Sequence, residues 1–139
     1  MTVIDASVAV KWFLPEAGDE AAQQLLADGD ELLAPALIQV EVAAAIARKA
    51  RLKEIGKRDA QAAAELWFRS LANAVVNLVP DETDLPAAVK LSLALEHPVQ
   101  DCLYLALAAR LRAPIITADH QFVAQAGGSH PQVRRLGKR

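Results

Sequence analysis

Apolar positions along this chain follow two rhythms, short β-branched runs and longer stretches at helical spacing, and the two alternate from one end to the other. Thr2-Val3-Ile4 predicts a buried strand, and Asp5-Ala6-Ser7 offers capping side chains ahead of an apolar helix from Val8 to Leu14 that Pro15 ends. Asp19 to Ala27 predicts an amphipathic helix stopped by Asp28-Gly29-Asp30, and Glu31 to Ala34 a brief strand before Pro35. Leu37 to Arg51 is strongly helical, with Leu37, Val40, Ala44 and Ala47 on one side. Gly56 interrupts the pattern, and a second long helix from Arg58 to Ala74 carries Leu66, Trp67 and Leu71, so the pair is expected to form a hairpin. Val75 to Val79 predicts a third strand, closed by Pro80. Thr83 to Leu95 predicts a helix with Leu85, Val89 and Leu93 at helical spacing, and after His97-Pro98 the segment Asp101 to Leu111 is apolar almost all round, as befits a helix buried on a sheet. Pro114 to Thr117 predicts a strand, Asp119 to Ala126 a short helix and Val133 to Leu136 an edge strand. Strands alternating with helices predict an α/β fold with a mostly parallel sheet.

Composition narrows this picture. With 139 residues, 53% of them apolar, one domain over residues 1–139 with a single core is expected. The lone Cys102 lies in the apolar run C-L-Y-L-A-L-A, where a thiol behaves as a small core residue, and it excludes an intrachain disulfide. The first strand starts directly after Met1, leaving no room for a secretory signal, and the longest apolar run, Cys102 to Ala109, is far shorter than the ~20 residues a membrane span needs. A cytoplasmic protein is therefore expected. A net charge of −2 gives no overall basic signal, so any contact with nucleic acid must rest on local patches.

Chemistry gathers at four acids: Asp5 in V-I-D-A-S, Glu41 in A-P-A-L-I-Q-V-E-V, Asp101 in H-P-V-Q-D-C-L-Y and Asp119 in I-I-T-A-D-H-Q-F. Residues that follow parallel strands lie at the carboxyl edge of a sheet, where ligand sites collect, so acids distant in sequence can meet there. Carboxylates brought together repel unless they share a cation, and hard divalent ions take such oxygen ligands. Singly, each Asp is explained as a helix cap. Glu41 differs, because it lies inside a helix among the apolar neighbours Leu37, Ala44 and Ala45, where an acid needs a partner, Arg48 being one candidate. Ser7 and Thr117 each stand two residues from an acid, where a hydroxyl can orient a carboxylate or serve as a plain cap. His97, His120 and His130 lack the spacing of a histidine metal site and carry little catalytic weight. Arg48, Lys49 and Arg51, with Lys53, Lys57 and Arg58, cluster at the hairpin turn, and Arg134, Arg135, Lys138 and Arg139 form a basic tail; both are candidate phosphate contacts or simply solvated surface. No glycine-rich phosphate loop, paired-cysteine motif or Ser-His-Asp order is present.

Taken together, D-A-S-V-A-V-K-W-F from Asp5, Pro35 followed by Glu41, D-C-L-Y-L-A-L-A from Asp101 and T-A-D-H-Q-F from Thr117 resemble the four motifs of the PIN-domain nucleases, in particular the VapC-type toxins of toxin–antitoxin pairs. The resemblance covers nearly the whole chain. It implies a three-layer α/β/α fold with about five mostly parallel strands, and Asp5, Glu41, Asp101 and Asp119 around a Mg²⁺ or Mn²⁺ site. It also implies an endoribonuclease whose metal-activated water leaves 5′-phosphate and 3′-hydroxyl ends, an antitoxin partner of the VapB type, and a homodimer. Where some members carry a further acid after the fourth motif, this chain has His120, Gln121 and Val123. The aromatic pairs Trp12-Phe13 and Trp67-Phe68 suggest an antitoxin dock near the helical hairpin, or core packing. A phosphatase would show D-x-D where this chain has D-A-S, and a phosphoacceptor domain a lysine after a late strand. The remaining alternative is a catalytically silent interaction domain that keeps the acids as caps.

Overall fold

In a computed structural model the described residues are 1–137. Lys138 and Arg139, the end of the expected basic tail, lie outside the described residues. Five strands form one sheet: β1 (Thr2–Ile4), β2 (Leu32–Pro35), β3 (Asn77–Val79), β4 (Ile115–Thr117) and β5 (Val133–Arg135). Their order is β3-β2-β1-β4-β5 and every pairing is parallel, with Val3 opposite both Leu33 and Ile115. The helices are α1 (Ala6–Ala9), α2 (Asp19–Ala27), α3 (Ile38–Arg51), α4 (Lys57–Ala72), α5 (Asp81–Leu95), α6 (Val99–Leu111) and α7 (His120–Ala126).

The chain starts in the middle of the sheet, runs outward through β2 and β3, then returns past β1 to β4 and β5. Right-handed crossovers therefore place α1 to α4 on one face and α5 to α7 on the other. The reversal of direction falls between β1 and β4, which creates a crevice at their carboxyl ends. The central strands β1 and β2 are wholly buried, as their apolar runs require, while the edge strand β3 exposes Asn77 and Leu78. Fully buried Val3, Ile4, Ile38, Val42, Ile46, Trp67, Tyr104, Leu105, Leu107 and Ile115 belong to one core spanning both faces.

Three expectations are corrected. The helix expected over Val8 to Leu14 is split into α1 and a 3₁₀ turn, Val10–Trp12. The tighter turn delivers Trp12 to α2, where its indole N–H donates to the Ala22 carbonyl at 2.8 Å. On α3 the buried face is Ile38, Val42 and Ile46, not the side carrying Val40, which is exposed. The β-branched stripe offers more apolar surface than the alanines beside it, and burial follows that surface. On α5, Leu85, Val89 and Leu93 face outward, with Leu93 77% exposed, and the helix instead buries Asp84 and Ala88. Small residues decide that choice: Ala88 packs against Cys102, Leu103 and Ala106, and Asp84 accepts a two-pronged bond from Arg110 of α6 at 2.7 and 3.1 Å.

The hairpin of α3 and α4 forms as expected. Trp67 is fully buried, its indole N–H donating to the Gln39 carbonyl at 3.2 Å and its ring packing on Phe13 with centroids 5.8 Å apart, whereas the adjacent Leu66 and Phe68 are exposed. Urea unfolding should show Trp67→Ala costing about 3–5 kcal/mol and Leu66→Ala no more than about 0.5 kcal/mol. Equal losses would mean that α4 packs through another face.

Candidate active site

Asp5 follows β1 and Asp119 follows β4, so the two strands on either side of the crevice each deliver an acid to it. Asp101 lies in the first turn of α6, which packs across β1, β2 and β4, and Glu41 lies in the first turn of α3. One hydroxyl ties Glu41 to α6: Tyr104, one turn beyond Asp101, donates to Glu41 Oε1 at 2.6 Å. Burial, with the charges of Asp5 and Glu41, raises the Tyr104 pKa and keeps the phenol a neutral donor. The pairing of Glu41 with Arg48 weighed from sequence does not form; Tyr104 takes that place.

Asp5 occupies the cap position of α1 but its side chain makes no capping bond. It turns to the sheet instead, where Oδ2 accepts from Ser7 Oγ and from Thr117 Oγ1, both at 2.8 Å. The same two hydroxyls reach the Asp119 segment, Ser7 Oγ accepting from the Ala118 amide at 3.0 Å and Thr117 Oγ1 from the Asp119 amide at 3.1 Å. Asp119 is a true cap: its Oδ1 accepts from the amides of Gln121 and Phe122 at 3.0 and 3.2 Å, leaving Oδ2 for other work.

His97, given little weight from sequence, is buried beside these acids. Its Nε2 lies 2.7 Å from Asp101 Oδ2, and His97, Asp101 and Asp119 each offer a donor atom within 4.8 Å of the others. The only clue in the sequence was its place four residues before Asp101, which brings a side chain back toward the start of the following helix. Tyr104 was missed because a tyrosine in an apolar helix reads as core, and here it is core with a polar tip.

Electrostatics bind the four acids into one set. Burial pushes the Asp5 carboxyl up to about 6, opposed by its two hydroxyl donors and reinforced by the charge of Asp101. Burial likewise raises Glu41, against the Tyr104 bond and with the charges of Asp5, Asp101 and Asp81 adding to the rise. Burial raises Asp101 too, partly offset by His97 and reinforced by Asp119. Among the described residues no lysine or arginine pairs with any of the four. Crowded carboxylate oxygens short of positive charge suit a hard divalent cation such as Mg²⁺ or Mn²⁺.

The basic candidates separate. Lys49 is matched by Glu16 at 3.0 Å and Glu54 at 3.5 Å, whereas Arg48 and Arg51 are exposed. Arg135 sits opposite Thr117 in the sheet, exposed, with its guanidinium 3.4 Å from His120 Nε2. Arg134 points the other way and, with Arg112 and Pro114, lines a pocket of about 470 Å³.

An all-parallel sheet whose strand order reverses between β1 and β4, with Asp5 and Asp119 following those two strands, defines an α/β domain with acidic residues at its carboxyl edge. The PIN domain model matches residues 2–128, and the chain belongs to that family. No curated protein matches it. Among solved structures it is similar to a toxin–antitoxin complex from Klebsiella pneumoniae, at 18% identity and TM-score 0.65 over 92% of this chain and 94% of that one. It is also similar to Mycobacterium tuberculosis VapC20, a toxin that cleaves the sarcin-ricin loop, at 19% identity and TM-score 0.66 over 96% of this chain and 99% of that one. At these identities the likeness is one of fold.

The raised Asp5 pKa fixes the sign of a pH effect. Because about 6 in the folded protein exceeds the ordinary 3.8, the fold holds this proton more tightly than the unfolded chain does. The resulting stability is fully present below the lower value, is lost as pH rises through the higher one, and amounts to about 3 kcal/mol. Melting in EDTA from about pH 4 to about pH 7 should therefore show falling stability. Asp5→Asn keeps an oxygen for Ser7 and Thr117, should flatten that slope, and should melt higher than the parent at neutral pH; an unchanged slope would contradict the buried charge.

Proposed function

We propose that this chain is an endoribonuclease dependent on Mg²⁺ or Mn²⁺ and serves as the toxin of a toxin–antitoxin pair. The observation that carries the reading is the mutual repulsion of Asp5, Glu41, Asp101 and Asp119, one from each family-like motif, which burial intensifies and which no lysine or arginine among the described residues relieves. Membership of the PIN domain family supports it, as does the shared fold with a toxin–antitoxin complex and with a toxin that cleaves the sarcin-ricin loop.

The four acids would hold the ion. When bound, such an ion would supply an acidified water and a counter-charge to a phosphodiester. The chain's own residues do the positioning. Ser7 and Thr117 fix one oxygen of Asp5, Tyr104 fixes one oxygen of Glu41, and the α7 amides fix one oxygen of Asp119. In these three acids, donors from the protein set the orientation of a carboxylate through one of its oxygens. Exposed Arg135, beside His120 and on the strand two places from β1, is a candidate phosphate contact, with exposed Arg48 and Arg51 on α3 as a second positive patch. Products with 5′-phosphate and 3′-hydroxyl ends follow if water is the attacking group.

For the antitoxin of VapB type, the α3–α4 hairpin offers a mainly apolar groove of about 340 Å³ lined by Ile46 and alanines of both helices, with Lys57 and Gln61 as its polar members. An amphipathic helix is the partner chemistry such a groove suits. Trp12 and Trp67 do not contribute to the dock, because both are buried in the core. A homodimer remains part of the proposal through the family.

The test is cleavage of transfer RNA and ribosomal RNA fragments by purified protein, with Mg²⁺, with Mn²⁺ and with EDTA, followed by sequencing of the ends. Cleavage should require a divalent ion, and Asp101→Asn or Asp119→Asn should reduce it by orders of magnitude in a protein that still folds. Activity that persists in EDTA, or in either variant, would refute the proposal. Absence of both cleavage and stabilisation by divalent ions would favour the silent interaction domain.

A further inference from the structure

Asp101 is the one acid of the four whose orientation is not explained by a hydroxyl or an amide. Its Oδ2 meets His97 Nε2 at 2.7 Å, and among the described residues its other oxygen accepts no hydrogen bond. The imidazole itself is restrained on every side. Its side chain is 4% exposed, its ring stacks on Phe122 with centroids 4.9 Å apart and planes 17° from parallel, and its Nδ1 meets the side-chain oxygen of Gln125. The backbone is pinned as well: the His97 carbonyl accepts from Ser92 Oγ at 2.5 Å and the His97 amide donates to the Ser92 carbonyl at 3.3 Å. Pro98, which follows, occupies the N-cap position of α6, its ring restricting the backbone between His97 and the first turn.

Phe122 joins this arrangement to the other side of the crevice. Its amide donates to Asp119 Oδ1 at 3.2 Å while its ring carries His97. One residue of α7 therefore sets Asp119 through its backbone and Asp101 through the imidazole stacked on its side chain.

We propose that His97, held by Phe122 and Gln125, is a positioning residue that occupies one oxygen of Asp101 and turns the other toward Asp119, so that the two acids present a preformed pair to the cation. The inference rests on the metal-centred reading above. A carboxylate with free χ rotation must be ordered when the ion binds, and an outer partner that orders it beforehand strengthens binding, typically by about 10–100-fold. A buried histidine kept only for packing would be replaceable by any flat ring.

The test is Mn²⁺ binding to the metal-free protein, measured by calorimetry and by the loss of the free-ion electron paramagnetic resonance signal. His97→Phe keeps a ring to stack on Phe122 and removes both polar contacts; it should keep the melting temperature of the metal-free protein and bind Mn²⁺ about 10–100-fold more weakly. His97→Gln restores a side-chain donor with reach toward Asp101 and should recover much of the affinity. Should His97→Phe fail to fold, Gln125→Leu, at an exposed position, releases the far side of the ring and should still weaken Mn²⁺ binding. Affinity equal to the parent in His97→Phe, or in Gln125→Leu where that variant has to stand in, would overturn the proposal while leaving the acidic site intact. A parent protein that binds no Mn²⁺ at all would remove the metal-centred reading and this inference together.

Discussion

Placing Asp5 at the end of the central strand takes a carboxylate out of water, and much of the surrounding architecture serves to offset that cost. Two hydroxyls, from Ser7 in the next turn and Thr117 at the end of the neighbouring strand, bond the same oxygen. Those hydroxyls also accept from the amides of Ala118 and Asp119, so one small network fixes the ends of both strands that flank the crevice. The charge is still held at a penalty, as the upward push on its pKa records. A protein that tolerates this in its most buried layer retains the acid for something other than stability, since a neutral amide would satisfy the same donors.

The order of the elements was legible because each strand is a short apolar run closed by a turn signal and each helix has a stripe at helical spacing. The strand bounds Thr2–Ile4 and the helix bounds Asp19–Ala27 agree with the pattern to the residue. What the pattern could not decide is which of two competing faces is buried. On α5 the larger side chains lose to Ala88 and Asp84, because close approach to α6 and the bond to Arg110 are properties of the neighbour. On α3 the alanine-rich side loses to Ile38, Val42 and Ile46 for the simpler reason of apolar area.

At the site, the four acids stood out in the sequence as candidates, because Asp5 and Asp119 follow strands and Glu41 and Asp101 stand in the first turns of helices. Their individual circumstances did not. Asp5 and Asp119 look alike in sequence, each ending a strand before a helix, yet only Asp119 caps its helix with its side chain. The difference arises from Thr117, more than a hundred residues away from Asp5, which no local motif reveals. His97 and Tyr104 escaped for the same reason: their significance lies in contacts across elements, with Phe122, Gln125 and Glu41. Positive charge was the least legible property, because whether Lys49 is matched by Glu16 and Glu54, or Arg135 meets His120 instead, depends on contacts that local sequence does not show.

The pairing of β1 with β4 also sets an order of assembly. Residues 2–4 precede the other strands in the chain, yet one of the two hydroxyls that hold Asp5 comes from residue 117, and the edge strand beyond it begins only at Val133. A growing chain can build β1, β2 and β3 with their helices as they emerge, while the crevice still lacks one wall. The second wall closes only once β4 and Asp119 have emerged, so a chain cut short before them carries Asp5, Glu41 and Asp101 without the strand that pairs with β1.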